Sequence, residues 1–242
     1  MGLSFFWGAV GALALVAGAL IAYAVTPNAR FTAVVMALGT GVLIGSVSFE
    51  LIDEAIQAAE VPAVGLLTLI GAATFTVGNW WLARGGGGKR KDMAGAQQEG
   101  SPLAIVLGSV IDGIPESFVL GLTVLQGQVS TSLLAGVLLS NFPEGLASSS
   151  GLRAAGWARR KVLLMWSAVV VAAGLSAALG YVLLDPATGR TGALVQAFAA
   201  GGLLAMVSDT LLPEAYAEEG VFTGSLVAVG FAVSLMLSGW EP

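Results

Sequence analysis

Asp112-Gly113-Ile114-Pro115-Glu116-Ser117 and Ser140-Asn141-Phe142-Pro143-Glu144-Gly145 share one form, a proline-glutamate pair followed by a small residue. Each sits inside a stretch that otherwise reads as lipid-embedded helix. A carboxylate at membrane depth is costly, and a proline there bends the helix and frees backbone groups. Two such motifs at matched positions in consecutive apolar stretches predict a polar site built between two membrane helices.

The composition around them agrees. The chain has 242 residues, of which 56% are hydrophobic and 10% charged. Its mean hydropathy of +0.88 lies well outside the range of ordinary globular domains. The 34 glycines are spread through the apolar stretches, as in closely packed membrane helices. Cysteine is absent, which excludes disulfides and thiolate metal sites. Histidine is absent too, which removes the commonest transition-metal ligand and the easiest proton relay near neutral pH. No nucleophile–base pair is visible, so an enzyme is not expected, and no nucleic-acid partner is implied. No lysine or arginine precedes Phe5, and the apolar run from Leu3 to Val25 is longer than a signal-peptide core. It reads as the first membrane helix.

Eight apolar stretches, each near the roughly 20 residues that a bilayer requires, fall at about 3–25, 31–57, 61–83, 102–125, 131–152, 161–184, 191–215 and 220–239. The longest connection, 84–101, holds four glycines followed by Lys89-Arg90-Lys91, the composition of a flexible basic linker. With eight spans, every lysine and arginine except Arg190 falls on one side: Arg30, Arg84, Lys89, Arg90, Lys91, Arg153, Arg159, Arg160 and Lys161. The positive-inside rule places that side in the cytoplasm and both termini outside. The expected location is the plasma membrane, the cytoplasmic membrane of a prokaryote. Trp7, Trp80, Trp81, Trp157 and Trp240 lie near span ends, where indoles anchor at the interface.

A repeat runs through the spans. Gly41 to Ala55 in the second aligns without gaps on Gly201 to Ala215 in the seventh. The shared positions are Gly41/Gly201, Leu43/Leu203, Val47/Val207, Ser48/Ser208, Leu51/Leu211, Glu54/Glu214 and Ala55/Ala215. In the orientation above these two spans run in opposite directions, as do the fourth and fifth. The fold expected is all-α: one polytopic domain over 1–242, with eight transmembrane helices in a 3+2+3 inverted-repeat arrangement. Inverted repeats with broken helices meeting near the midplane mark alternating-access transporters.

Residues four apart share a helix face, so Asp112 pairs with Glu116 and Ser140 with Glu144. Asn141 lies near the second face. If the two helices pack with their motifs facing, the site holds three carboxylates, an amide oxygen and a hydroxyl. Three carboxylates in a low-dielectric interior cannot all stay ionised without a cation or bound protons, and a divalent metal satisfies them. The plainer alternative is a pair of packing kinks with protonated, hydrogen-bonded glutamates. Glu50, Asp53 and Glu54 cluster toward the outer end of the second span. Asp209 lies inside the seventh, with Glu214 near its cytoplasmic end. These five read as vestibules along a cation pathway or as solvated helix ends. Glu218-Glu219 reads as a solvated loop.

Over essentially its whole length the chain resembles the ZIP (Zrt/Irt-like) family of divalent-metal transporters. The resemblance rests on the eight spans, the long connection after the third, the 3+2+3 layout and the paired motifs. In that family the fourth span typically carries His-Asn-x-Pro-Glu-Gly and the fifth His-Glu-x-Pro-Glu-Gly. Leu211-Leu212-Pro213-Glu214-Ala215 is similar to the family's acidic ending of the seventh span. The resemblance implies that Glu116 and Glu144 fall on metal-bridging glutamates. Asp112 and Ser140 stand where the family has histidines, with Gly113 and Asn141 at their neighbours. Leu175-Ser176 is followed by Ala177-Ala178-Leu179-Gly180, without the glutamate many members place in the sixth span.

The expectation is therefore a single oxygen-lined site of Asp112, Glu116, Ser140, Asn141 and Glu144 that moves a divalent cation into the cytoplasm. Zn²⁺, Mn²⁺ or Fe²⁺ would be its substrate rather than a resident cofactor. Oxygen ligands reduce zinc's advantage over harder ions. The alternatives are a divergent protein of the same fold that moves another solute or protons, or a non-transporting membrane scaffold. Besides the metal and the lipid bilayer, the small residues of the outer helices permit a homodimer without requiring one.

Overall fold

A computed structural model of the chain describes residues 1–26, 28–82, 84, 102–125, 129–184 and 189–239, and contains no strand among them. Apart from Arg84, the expected linker 84–101 lies outside the described residues. The elements in order are α1 (Gly2–Ala24), α2 (Ala29–Ser46), a π-helical segment (Val47–Ile52), α3 (Asp53–Ala58), α4 (Val61–Leu82), α5 (Pro102–Leu125), α6 (Thr131–Ala154), α7 (Arg159–Leu184), α8 (Arg190–Met206), a second π-helical segment (Val207–Leu211), α9 (Leu212–Glu219), a 3-10 turn (Gly220–Phe222) and α10 (Thr223–Ser238).

Among the described residues, five helical stretches are long and apolar enough to cross a membrane: Gly2–Ala24, Ala29–Ala58, Val61–Trp81, Arg159–Val182 and Arg190–Ser238. The last runs through α8, α9 and α10. This is compatible with a membrane protein. α6 is less apolar for a physical reason. It carries Ser132, Ser140, Asn141, Glu144, Ser148 and Ser149, and all are buried against neighbouring helices. α1 and α2 cover it most extensively, and α10 adds a smaller contact. The indole of Trp166 on α7, itself fully buried, donates to Ser149 at 2.8 Å.

The aligned glycines of the sequence repeat make comparable contacts. α2 lies along α10, while α8 lies along α4. The aligned pair Gly41 and Gly201 makes the same kind of contact in each case. A Cβ at Gly41 would collide with the carbonyl of Val227, and one at Gly201 with that of Thr68. In the reverse direction Gly230 meets the carbonyl of Leu38, and Gly71 that of Phe198. Backbones approach this closely only where no side chain intervenes.

Proline is expected to bend the fourth and fifth stretches and free backbone groups there, and α5 and α6 run on as helix with Pro115 and Pro143 inside them. A proline removes one hydrogen bond, which a helix can absorb as a bend. The irregular segments follow α2 and α8, and both open at aligned residues, Val47 and Val207. There the amide of Asp53 reaches back to Ser48 and that of Leu212 to Val207, one residue further than in an α-helix. Pro213 stands two residues after the second segment and has no amide hydrogen to donate.

Candidate functional site

The site is built on facing surfaces of α5 and α6. On α5, Ser109, Asp112 and Glu116 follow the spacing that puts residues on one helix face, and all three are buried. On α6, Ser140 and Glu144 stand one turn apart and are buried as well. The hydroxyl of Ser140 donates to Glu116 Oε1 at 2.9 Å, and the hydroxyl of Ser109 donates to Glu144 Oε1 at 2.7 Å. Each helix thus supplies a hydroxyl to the other's glutamate. Because 109 meets 144 while 116 meets 140, the two helices run antiparallel. Asp112, 3% exposed, belongs to the same α5 face between the two crossed bonds.

Hydroxyl-to-carboxylate bonds are charge-assisted when the acid is ionised, and they satisfy acceptors that lipid cannot. Among the described residues, no group of three acidic side chains is arranged to hold a metal ion. In this arrangement the glutamates are held by serines. Asn141 sits on α6 at the same level but turns elsewhere. Its Nδ2 donates to the carbonyl of Gly11 on α1 at 3.2 Å, tying α6 to α1. Gly113 is only partly buried and has open space where a side chain would project. Ser109 was not anticipated from the sequence. Its signal was its place three residues before Asp112 and seven before Glu116, on one helix face.

The five expected pathway residues fall in different surroundings. Glu50, in the first π-helical segment, is half-buried and accepts from the hydroxyls of Ser130 and Ser238. Ser130 is also the N-cap of α6 and accepts from the amide of Leu133 at 2.9 Å. One turn before Glu50 and Ser238, Ser46 and Ser234 join Ser132 in a buried hydroxyl cluster. Ser132 lies 2.7 Å from Ser46 and 2.6 Å from Ser234. Glu50 is thus the polar head of a serine seam joining α2, α6 and α10. Asp53 and Glu54 are exposed and accept from Gln57 and Gln196, each at 2.9 Å. Asp209 is exposed too and accepts from Thr76 of α4 at 3.3 Å, so it stands on the flank of the α4–α8 pair. Glu214 is half-buried on α9.

The expected solvated loop at Glu218-Glu219 is instead the last turn of α9. There the Glu219 side chain, only 9% exposed, pairs with Arg30 at 3.2 Å. The pairing joins the last turn of α9 to the start of α2. At Glu60–Arg190 a second ion pair of 2.8 Å joins the connection before α4 to the start of α8. The hydrogen bond from Arg190 holds the Glu60 carboxyl below its ordinary value.

Compared with known protein families the chain matches none, and compared with curated proteins it also matches none. The class that the helices define is that of an apolar helical protein compatible with a membrane.

Proposed function

We propose that the chain is a ZIP-like transporter that carries a divalent cation across a membrane into the cytoplasm. The observation that carries this reading is the crossed pairing of buried glutamates on two facing helices, Glu116 with Ser140 and Glu144 with Ser109. Acidic groups at such depth are rare, and their usual use is an ion pathway. In this reading eight helices span the bilayer as a 3+2+3 inverted repeat, with both termini outside. α2 with α3, and α8 with α9, count as one span each.

The cation is the substrate. On loading it takes the place of the serine hydroxyls, and Asp112, Glu116 and Glu144 draw in around it with Ser109 and Ser140 beside them. Asn141 keeps the floor of the site fixed to α1. Glu50 is the outer acid that meets an arriving cation, with Asp53 and Glu54 at the mouth. Asp209 and Glu214 serve the cytoplasmic side. The aligned π-helical segments are where the outer helices would flex against the central pair during transport. An all-oxygen ligand set suits Mn²⁺ and Fe²⁺ and still admits Zn²⁺.

Uptake by the full chain in reconstituted vesicles tests the reading across Mn²⁺, Fe²⁺, Zn²⁺, Co²⁺, Cd²⁺ and Mg²⁺. Transport of at least one ion, lost in Glu116→Ala and Glu144→Ala, is the expected result; transport of none rejects it. A second reading, movement of protons on the same carboxylates, draws on the serine bonds that satisfy them without a metal. Equilibrium dialysis separates the two, because a proton carrier leaves the metal in free solution.

A further inference from the structure

The two faces of α5 differ in kind. One presents Ser109, Asp112 and Glu116 to α6. The other, through Ile111, Pro115 and Phe118, lines a cavity of about 520 Å³ shared with α4, α7 and α8. Among the described residues of its lining, two side chains carry polar atoms, Thr74 and Ser176. Both hydroxyl protons are already used: Thr74 donates to the carbonyl of Ile70 at 2.8 Å, and Ser176 to that of Ile114 at 3.2 Å. No side-chain donor remains for an ion, a headgroup or water.

The rim carries Ile114, 48% exposed, and Leu179, 55% exposed. The same helices α4 and α7 carry further exposed apolar side chains, among them Val77 and Leu175. Three of the four helices around the cavity, α4, α7 and α8, belong to stretches apolar enough to cross a membrane. The mouth therefore opens on hydrocarbon when the chain is embedded. An empty apolar hollow of this size leaves its walls without packing partners, and water gains too few hydrogen bonds there to fill it.

We propose that this cavity binds the acyl chain of a bilayer phospholipid, which seats against Pro115 and braces the back of the α5 segment that carries Asp112 and Glu116. The proposal rests on the membrane reading above and not on cation transport. Pro115 supplies the reason for a brace at this point, since it leaves the Ile111 carbonyl without its helical amide partner and makes the segment bendable.

The test uses the purified full chain in phosphatidylcholine nanodiscs with a trace of phosphatidylcholine bearing a photoreactive diazirine in mid-chain. Cross-links are mapped by mass spectrometry. The expected result is labelling of residues 111–118 and 195–202 above that of the exposed α10 residues Val229 and Val233, which report ordinary lipid contact. Gly202 lines the cavity, and a Cβ there meets Pro115 only at 3.9 Å. Gly202→Leu therefore obstructs the space against Pro115, and labelling of 111–118 falls toward the α10 level. Gly78→Phe fills it from α4, where no atom lies within 4 Å of a new Cβ, and serves if the first variant does not fold. Labelling of 111–118 no higher than α10, or enrichment that survives both filled variants, overturns the proposal. With the diazirine carried instead by a photo-leucine at position 114, a protein–protein cross-link overturns it in favour of a second copy. Absence of label on α10 itself is the separate failure of the membrane reading.

Discussion

The hydroxyl of Ser140 on α6 lies 2.9 Å from the carboxylate of Glu116 on α5, and both residues are almost wholly buried. Glutamine at 116 has the size and the acceptor oxygen to keep that bond, but it carries no charge. Glu116→Gln, and likewise Glu144→Gln, should fold with an unchanged far-ultraviolet circular dichroism spectrum and yet reduce vesicle uptake to the level of protein-free liposomes. Uptake that persists in either variant removes the acidic pair from the pathway.

The serines make the converse prediction. Ser140→Ala and Ser109→Ala leave the charge in place and remove one of each carboxylate's donors. Losing a buried hydrogen bond of this kind costs about 1–3 kcal/mol. Thermal unfolding in detergent should shift downward in both single variants. The two bonds engage the same two helices, so the double variant should deviate from additivity. A strictly additive double variant separates the two contacts energetically.

Much of this arrangement was legible in the chain, and the parts that were not have physical reasons. Helix positions followed from apolar length, and the glutamate faces from four-residue spacing. The repeat could be read because Gly41 and Gly201 are fixed by backbone approach rather than by side-chain chemistry. Asp209 was placed by its depth along a span, but depth does not tell which side of a helix a residue faces, and it points outward. Asn141 shares a helical level with Ser140, yet the nearest acceptor for its amide belongs to α1. The π-helical segments are marked by no residue that both share as a breaker. Pro213 follows one, and no proline follows the other.

Close backbone contact makes the repeat testable through its glycines. Gly201→Leu and Gly41→Leu must push α4 and α10 away, because the new Cβ meets backbone carbonyl rather than a movable side chain. Overpacking of this kind costs about 1–3 kcal/mol or more, so both variants should lower the melting temperature. Gly65→Ala is the contrast. Nothing lies within 4 Å of its new Cβ, and replacing a helical glycine by alanine contributes about 0.5–1 kcal/mol. An equal loss in all three would mean that the glycines do not mark helix contacts.

The Glu60–Arg190 pair adds a pH dependence outside the spans. Its carboxyl is held below the ordinary value by the Arg190 hydrogen bond. A depressed folded pKa stabilises the fold when the acid is ionised. The contribution is complete above the unfolded carboxyl's pKa and disappears as pH falls through the folded value. Glu60→Gln should therefore melt below the parent near neutral pH and coincide with it in acid. A gap that stays constant from neutral pH into the acid range contradicts this assignment.

Arg153 ties the ends of two helices together. It lies in the last turn of α6, and its Nη1 donates to the carbonyls of Ala22 at 2.7 Å and Val25 at 3.3 Å, at the end of α1. A cation at a helix C-terminus meets the negative end of the dipole, an effect of about 0.3–1 kcal/mol when exposed and up to ~2 kcal/mol when partly buried. Arg153→Met keeps the apolar stem and removes the charge and its donors. Amide exchange at the end of α1 should accelerate in that variant, while exchange in α4, which Arg153 does not touch, stays at the parent rate. Lysine at 153 restores the charge without the planar donor fork, so protection should return only in part. Full protection in Arg153→Met would assign the end of α1 to packing by Tyr23, whose hydroxyl donates to the Trp157 carbonyl at 2.7 Å, rather than to the guanidinium.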